Sequence, residues 1–169
     1  MVKCQRVWLW YILRMSFAST ATLKLDSLGL PYRLFQHATP PGSLEEAARL
    51  RGQQPGQVIR SILFRHAQES YVMVLMAGPG QVSWKRIRAH LGVSRISMAS
   101  ESEVLEVTGC ELGTVNPLSP DKPIRILADQ SVFQPEEISV GSGVRGVAIL
   151  LRSEDLLRAL PGLEIGPFS

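Results

Sequence analysis

A permanent positive charge lies within an apolar segment of this sequence. Arg60 stands in the stretch 58–64, where every other residue except Ser61 is apolar, a pattern typical of a largely buried strand. A buried charge needs an acidic partner or a polar pocket, because leaving it unpaired is costly. Its planar guanidinium can grip a phosphate or a carbonyl group but cannot act as a base. Arg60 therefore either anchors a substrate group or is an edge-strand arginine that faces solvent or pairs with an acid.

A glycine-containing loop is the second chemical candidate. Thr108 and Gly109 are followed by Gly113 and, four residues later, by Pro117. Each of these residues alone is ordinary turn punctuation. Together they can hold a loop whose backbone N–H groups turn toward a carbonyl or phosphate oxygen. Thr108 either hydrogen-bonds within this loop or merely caps a helix.

Polar and small residues at two further segment ends complete the candidate set. Asp129 ends an apolar segment, where aspartate commonly forms a turn. Gly141, Ser142 and Gly143 form either a bulge or hairpin turn, or a wall that lets a substrate approach the backbone closely. Ser142 has no evident His–Asp partners, which disfavours a serine nucleophile.

The composition is that of an ordinary globular domain. The chain has 169 residues, 45% of them hydrophobic and 20% charged, with a net charge of +3. This mild basicity tolerates a nucleic-acid partner without establishing one. Cys4 and Cys110 are far apart in sequence, so we predict neither a disulfide framework nor a metal site, and we expect a reducing compartment.

Helices and strands must alternate along the chain to position these candidates. Ser43 followed by Glu46 is typical of a capping box, and Gly52 is a typical helix stop. The apolar stretches 58–64 and 71–76, separated by a polar turn, predict a buried hairpin. We predict helices at 22–30, 44–51, 84–93, 101–108 and from 153, and further strands at 32–37, 95–98, 124–128, 138–140 and 147–151. This order predicts an α/β or α+β domain with a mixed sheet.

The first 21 residues are interpreted as a leader, and residues 22–169 as one domain. Lys3 and Arg6 precede an apolar run at 7–13 that is too short to span a bilayer, so we predict no membrane partner. A secretory signal is one alternative. Arg14 interrupts the run, which favours an upstream extension with Met15 as a start.

In this order and at these separations, the motifs resemble the YbaK/ProX family, whose members include the inserted editing domain of prolyl-tRNA synthetase. The resemblance extends from Leu28 to Ser153 and rests on the Arg60 strand, on Thr108-Gly109 with the loop 113–117, on Asp129 and on the loop 141–146. It implies a mixed β-sheet rolled into a partial barrel with flanking helices. It also implies a pocket for the aminoacylated end of a transfer RNA, ester hydrolysis, and no metal or redox cofactor.

The resemblance assigns roles to the candidates. It implies that Arg60, where the family usually has lysine, and Gly113 are catalytic. The substrate-binding set is Thr108, Gly109, Pro117, Asp129, Gly141, Ser142 and Gly143. Asp129 would hold the amino group of the substrate or fix the glycine loop. We expect one cleft to be lined or bordered by Arg60, Gly113, Pro117, Asp129 and Ser142.

The implied function is that of a cytoplasmic trans-editing hydrolase that deacylates mischarged aminoacyl-tRNA, with an aminoacyl-tRNA synthetase as a second candidate partner. An aminoacyl ester is already activated, so such a site needs mainly to position a water and stabilise the oxyanion. Because Arg60 replaces lysine, a non-catalytic tRNA- or synthetase-binding module is the alternative, and a small-molecule hydrolase is the third hypothesis. A basic set forms either a solvated face or phosphate contacts along the acceptor stem: Lys85, Arg86, Arg88 and Arg95.

Overall fold

The computed structural model describes residues 17–118 and 120–169, so most of the predicted leader lies outside the described residues. Within them the chain forms five α-helices: α1 (Thr20–Ser27), α2 (Leu44–Arg51), α3 (Trp84–Leu91), α4 (Glu101–Thr108) and α5 (Ser153–Ala159). The eight strands are β1 (Arg33–Gln36), β2 (Ile59–Ala67), β3 (Ser70–Ala77), β4 (Ser97–Met98), β5 (Arg125–Asp129), β6 (Glu137–Gly141), β7 (Val147–Arg152) and β8 (Glu164–Gly166).

The strands pair into two sheets. A mixed sheet has the order β4-β2-β3-β5-β8, and a three-stranded antiparallel sheet has the order β1-β7-β6. The predicted hairpin is confirmed as the antiparallel pair β2–β3, whereas β5 runs parallel to β3. One isolated parallel bridge, Val58 to Ser139, joins the two sheets. The predicted α/β (α+β) class is confirmed. The strand pairing of the described residues does not by itself show a partial barrel, which stays an expectation.

Strand β3 is the middle strand of the mixed sheet, and both of its faces are buried. Met73 and Leu75 belong to the larger apolar cluster, which also contains Ile138 and Ile149 from the three-stranded sheet. Val72, Val74 and Met76, on the opposite face, pack in a second cluster with Ile87 of α3. A strand buried on both faces has a near-continuous apolar sequence, which is why the apolar run at 71–76 located β3 correctly.

Capping residues mark where the helices begin and end. Ser43 accepts a hydrogen bond from the Glu46 N–H at 3.1 Å, and α2 ends at Gly52 with φ +69°. The reciprocal half of the predicted capping box is wrong, because the Glu46 carboxylate accepts from the Gly42 N–H instead, at 2.7 Å. Helix α1 begins at Thr20, two residues earlier than predicted, because Ser19 is its N-cap.

The C-terminal residues add a strand that the sequence did not predict. Strand β8 runs parallel to β5, and Glu164 in β8 pairs with Arg125 of β5 and with His90 of α3. Three residues give too short a pattern for periodicity to detect. None of the helices in the described ranges is long and apolar enough to cross a membrane.

Candidate active site

A cavity of about 430 Å³ lies where the start of β2 meets α2 and the three-stranded sheet. Its volume is within the usual range for small-ligand pockets. The lining consists of Pro41, Leu44, Ala47, Arg51, Val58, Ile59, Arg60, Ser61, Ile62, Leu112, Gly113, Val115, Ser139, Val140, Gly141, Val147 and Ala148. This lining contains two arginines and neither an aspartate nor a glutamate.

Arg60 of β2 is one of the lining residues and lies opposite Met76 in β3. Its guanidinium donates a hydrogen bond to the carbonyl oxygen of Gly80, and its Nε is buried without a partner in the described part of the chain. Burial lowers the pKa of this guanidinium from its ordinary value. None of the ion pairs among the described residues includes Arg60. The acid-paired form of the edge-strand alternative therefore has no support among the described residues, whereas the solvent-facing form is untested for this half-buried side chain.

The loop that follows α4 borders the same cavity through Gly113. Gly113 has φ +87°, a conformation that favours glycine, and a Cβ there would meet no atom within 4 Å. Its neighbour Thr114 is anchored, since its N–H and its hydroxyl both donate to the carbonyl oxygen of Glu111, at 3.0 and 2.9 Å. Gly113 itself is exposed, and its N–H makes no hydrogen bond within the described residues.

Gly141 and Gly143 hold this loop against the end of β6. The Gly143 N–H donates to the carbonyl oxygen of Thr114 at 2.9 Å. A Cβ on Gly141 would overlap the carbonyl oxygen of Val115 and would lie 2.7 Å from that of Thr114. Gly141 thus allows the loop backbone to approach β6 closely, and the loop and the strand end line the cavity as one wall.

Ser142 closes its own turn and does not line the cavity. The residue is fully buried, and its hydroxyl accepts from the Val144 N–H at 3.1 Å and donates to the carbonyl oxygen of Val147 at 2.9 Å. These bonds occupy the hydroxyl with backbone groups of the 142–147 turn. A serine nucleophile therefore has no geometric support here.

Thr108, Gly109 and Pro117 shape the loop from outside the lining. The Thr108 hydroxyl donates to the carbonyl oxygen of Val104 at 2.7 Å and accepts from the Cys110 N–H at 3.1 Å, so it caps α4. Gly109 ends α4 with φ +68°, as predicted. Pro117 is buried and is not among the lining residues.

Asp129 binds backbone groups at the C-terminal end of the chain, outside the cavity lining. One carboxylate oxygen accepts from the N–H groups of Phe168 and Ser169, at 2.7 and 2.8 Å, and the other accepts from Ser131. Burial alone would raise the pKa of Asp129, but these hydrogen bonds lower it on balance. Of the five residues expected around one cleft, Arg60 and Gly113 line this cavity, whereas Pro117, Asp129 and Ser142 do not. The sequence could not separate these cases, because an aspartate or serine that forms a turn has the same sequence pattern as one that binds a ligand.

Three further polar residues line the cavity without having been predicted: Arg51, Ser61 and Ser139. Arg51, the last residue of α2, donates from Nε to His37 Nε2 at 3.1 Å and from Nη1 to the Ser139 hydroxyl at 2.8 Å. In sequence it resembles any basic residue in a last helical turn. Ser61 also borders the cavity although strand alternation predicted the opposite face, and its buried hydroxyl lacks a partner among the described residues.

The lack of acidic residues in the lining and the unpaired N–H of Gly113 indicate which ligands this cavity can bind. The two arginines of the lining favour an anionic or strongly polarised ligand, and Gly113, whose N–H makes no hydrogen bond among the described residues, lines the same cavity. Within the described ranges no three His, Cys, Asp or Glu residues are grouped closely enough to hold a metal ion. The arrangement suits polarisation of an ester carbonyl next to a phosphate group.

Comparison with known proteins gives a consistent set of similarities. The family model for the aminoacyl-tRNA editing domain matches residues 40–159. The multifunctional Ser/Thr-tRNA deacylase ProXp-y of Escherichia coli (strain K12) is 28% identical over 138 residues, which cover 79% of this chain and 82% of that protein. The proline–tRNA ligase of Thermotoga sp. (strain RQ2) is 30% identical over 63% of this chain, but the match spans only 18% of that enzyme. A solved structure described as a candidate trans-editing enzyme for prolyl tRNA synthetase superposes with a TM-score of 0.77 at 21% identity, covering 90% of this chain and 98% of the other.

Proposed function

This chain belongs to the aminoacyl-tRNA editing domain family, and we propose that it is a deacylase that hydrolyses mischarged aminoacyl-tRNA in trans, in the cytoplasm. The observation that carries the proposal is the cavity between β2, α2 and the Gly113 loop. Every residue of its lining falls within the matched range 40–159. The cavity combines Arg60 and Arg51 with a free backbone N–H and no carboxylate, which suits the 3′ end of a charged tRNA.

The reaction follows from what the lining contains. A water oxygen attacks the ester carbonyl carbon, and the developing oxyanion accepts a hydrogen bond from the Gly113 N–H, while Arg60 holds the substrate end by charge. The carbon–oxygen bond to the ribose then breaks, and the ribose oxygen takes the proton that the water loses. The described lining offers no carboxylate, imidazole or thiol as a base. The neighbouring ribose hydroxyl of the substrate therefore relays this proton.

The chemistry of the aminoacyl group follows from the walls of the cavity. Ala47, Val58 and Val140 provide apolar surface, while the Ser61 hydroxyl provides a buried polar group that has no partner in the described part of the protein. Such walls suit a small side chain, with or without a hydroxyl group. The name of the E. coli relative makes serine and threonine the first substrates to test.

The basic residues around α3 are candidate phosphate contacts for the acceptor stem. Arg86 donates to the carbonyl oxygens of Pro167 and Ser169, so part of its charge holds the C-terminal segment. Lys85, Arg88 and Arg95 make no ion pair with another described residue. Contacts of this type position an RNA backbone without reading its sequence.

A panel of mischarged tRNAs tests the proposed function. Purified protein should release serine, threonine or alanine from at least one mischarged tRNA without any synthetase present. It should leave the corresponding free amino-acid esters largely intact, because these lack the nucleotide that the arginines hold. Equal turnover of the free esters would indicate a small-molecule hydrolase, and tRNA binding without release would indicate a binding module.

A further inference from the structure

Arg51 brings a second guanidinium to the cavity from a different element. It ends α2, whereas Arg60 lies on β2, and both line the same space. Two of its five N–H groups are used by the protein, one by His37 Nε2 and one by the Ser139 hydroxyl. Its Nη2 makes no hydrogen bond in the described part of the chain, and Nη2 is not among the atoms buried without a partner. The free edge of the fork therefore remains open to a ligand.

His37 and Ser139 hold this guanidinium in place without neutralising it. Burial, and then the Arg51 guanidinium itself, lower the pKa of His37. The neutral imidazole therefore accepts the hydrogen bond from Arg51 and carries no opposing charge. Burial also lowers the pKa of Arg51 from its ordinary value. Neither His37 nor Ser139 carries the negative charge that would balance a partly buried cation.

The charge pattern around α2 separates Arg51 from its neighbour Arg49. Arg49 is exposed and lies 4.0 Å from the Glu46 carboxylate, as expected for a solvated helix pair. Arg51 has no carboxylate within ion-pair distance in the described ranges, although it is the more buried of the two. A half-buried, rigidly held and unbalanced guanidinium is a typical arrangement for binding a phosphate.

We propose that Arg51 is a substrate-binding residue that, together with Arg60, clamps the phosphodiester linking the last two nucleotides of the tRNA 3′ end. This inference rests on the proposed function, because it takes the anion to belong to the acceptor end. The two guanidinium groups approach one anion from α2 and from β2. The terminal adenosine and the aminoacyl group then fill the rest of the cavity.

Binding of two small probes tests this clamp directly. The dinucleotide CpA contains the phosphodiester 5′ to a terminal adenosine, and adenosine lacks it. Arg51→Gln should weaken CpA binding about ten- to a hundredfold and leave adenosine binding unchanged. Arg51→Lys should recover most of the CpA affinity, because a point charge still reaches the phosphate. Equal loss of both probes, no loss of either, or no binding of CpA by the wild-type protein would overturn the proposal.

Two controls exclude simpler explanations. Arg49→Gln removes the same charge from the same helix outside the cavity and should leave CpA affinity unchanged. Inorganic phosphate should bind at least about tenfold more weakly than CpA, because it lacks the base and ribose that fill the cavity. Equal affinity for phosphate and CpA would mean a free-phosphate site, and a comparable loss in Arg49→Gln would mean a diffuse charge effect. Either result would contradict the clamp.

Deacylation on the same samples separates this inference from the proposed function. Arg51→Gln should raise KM for mischarged tRNA more than it lowers kcat, and the slope of log KM against log salt should fall by about one. A merely structural role for Arg51 would lower the melting temperature without changing that slope. If the wild-type protein hydrolysed no mischarged tRNA but bound CpA through Arg51, the proposed function would fail while the clamp stood. If it hydrolysed mischarged tRNA but bound CpA equally well without Arg51, the clamp would fail while the proposed function stood.

Discussion

The unbalanced charge of Arg60 is the residue-level feature on which the proposed chemistry depends. Arg60 lies in the stretch 59–64 of β2, where every other residue except Ser61 is apolar. Its Nε is buried, and the one hydrogen-bond partner of its side chain among the described residues is the Gly80 carbonyl oxygen. A buried guanidinium nitrogen without a partner is costly, so a purely structural arginine would be expected to pair with an acid. Arginine also differs from the lysine that the family resemblance implies for this position, because it cannot exchange a proton in catalysis.

Replacing Arg60 should therefore separate substrate binding from folding. Arg60→Ala should lower kcat/KM for mischarged tRNA by about ten- to a hundredfold, which corresponds to a lost charge-assisted contact of about 1.5–3 kcal/mol. Arg60→Lys should retain substantial activity. Melting and deacylation measured on the same samples check this prediction. A lower melting temperature with unchanged turnover per folded molecule would show that Arg60 only stabilises the fold.

At the level of elements, the Gly113 loop and the end of β6 form one wall whose backbone spacing is set by Gly141. The carbonyl oxygens of Thr114 and Val115 occupy the space that a side chain on Gly141 would need. Because these atoms are backbone, they cannot move away without shifting the loop that carries the Gly113 N–H. The position of Gly113, the proposed oxyanion donor, thus depends on a residue that itself offers no functional group.

Gly141→Ala should accordingly disturb activity as well as stability. We expect kcat to fall by about a hundredfold, because a displacement of about 1 Å at a reacting centre has this scale of effect. The free energy of unfolding should fall by about 1–3 kcal/mol from overpacking. Gly162→Ala is the matched control, since a Cβ there meets nothing within 4 Å, and it should change stability by about 0.5 kcal/mol or less. Wild-type deacylation by Gly141→Ala would contradict the assigned role of the wall.

The elements were predictable from sequence to the extent that their signals are local. Apolar runs located β2 and β3, and Ser43, Gly52 and Gly109 marked helix ends through chemistry that acts within a few residues. The partition into two sheets was not predictable, because strand partners are chosen by packing between distant segments. The same limit applies to the site. In sequence Arg51 resembled an ordinary charge at a helix end, and its place in the cavity lining depends on the packing of distant segments.

At the level of the whole molecule, Asp129 ties the C-terminal end of the chain to the mixed sheet. Its carboxylate is almost fully buried and holds the backbone of Phe168 and Ser169 beside β5 and β8. Phe168 in turn packs in the apolar cluster under α3. The sequence placed Asp129 at a strand end but could not indicate that its partners lie about forty residues away.

Asp129→Asn should lower stability without changing turnover per folded molecule. Loss of the charge-assisted hydrogen bonds should reduce the free energy of unfolding by about 2 kcal/mol. Because folding lowers the pKa of Asp129, its contribution is present above the unfolded pKa of about 3.9 and is lost as pH falls through the lower folded pKa. As pH falls through this range, the free energy of unfolding should therefore decrease less in the variant than in the wild-type protein. Unfolding followed by circular dichroism at several pH values measures this difference. Reduced turnover in fully folded Asp129→Asn would instead show that this residue takes part in catalysis or substrate binding.

Single-turnover hydrolysis of a mischarged tRNA, with the protein in excess and no synthetase present, tests the proposed deacylase activity most directly. We predict that the wild-type protein releases the amino acid at least about a thousandfold faster than spontaneous hydrolysis, and that Arg60→Ala is about ten- to a hundredfold slower at equal folded concentration. Release at the spontaneous rate while the tRNA remains bound would contradict this activity. That result would make the cavity a binding site for the tRNA end and not an active site.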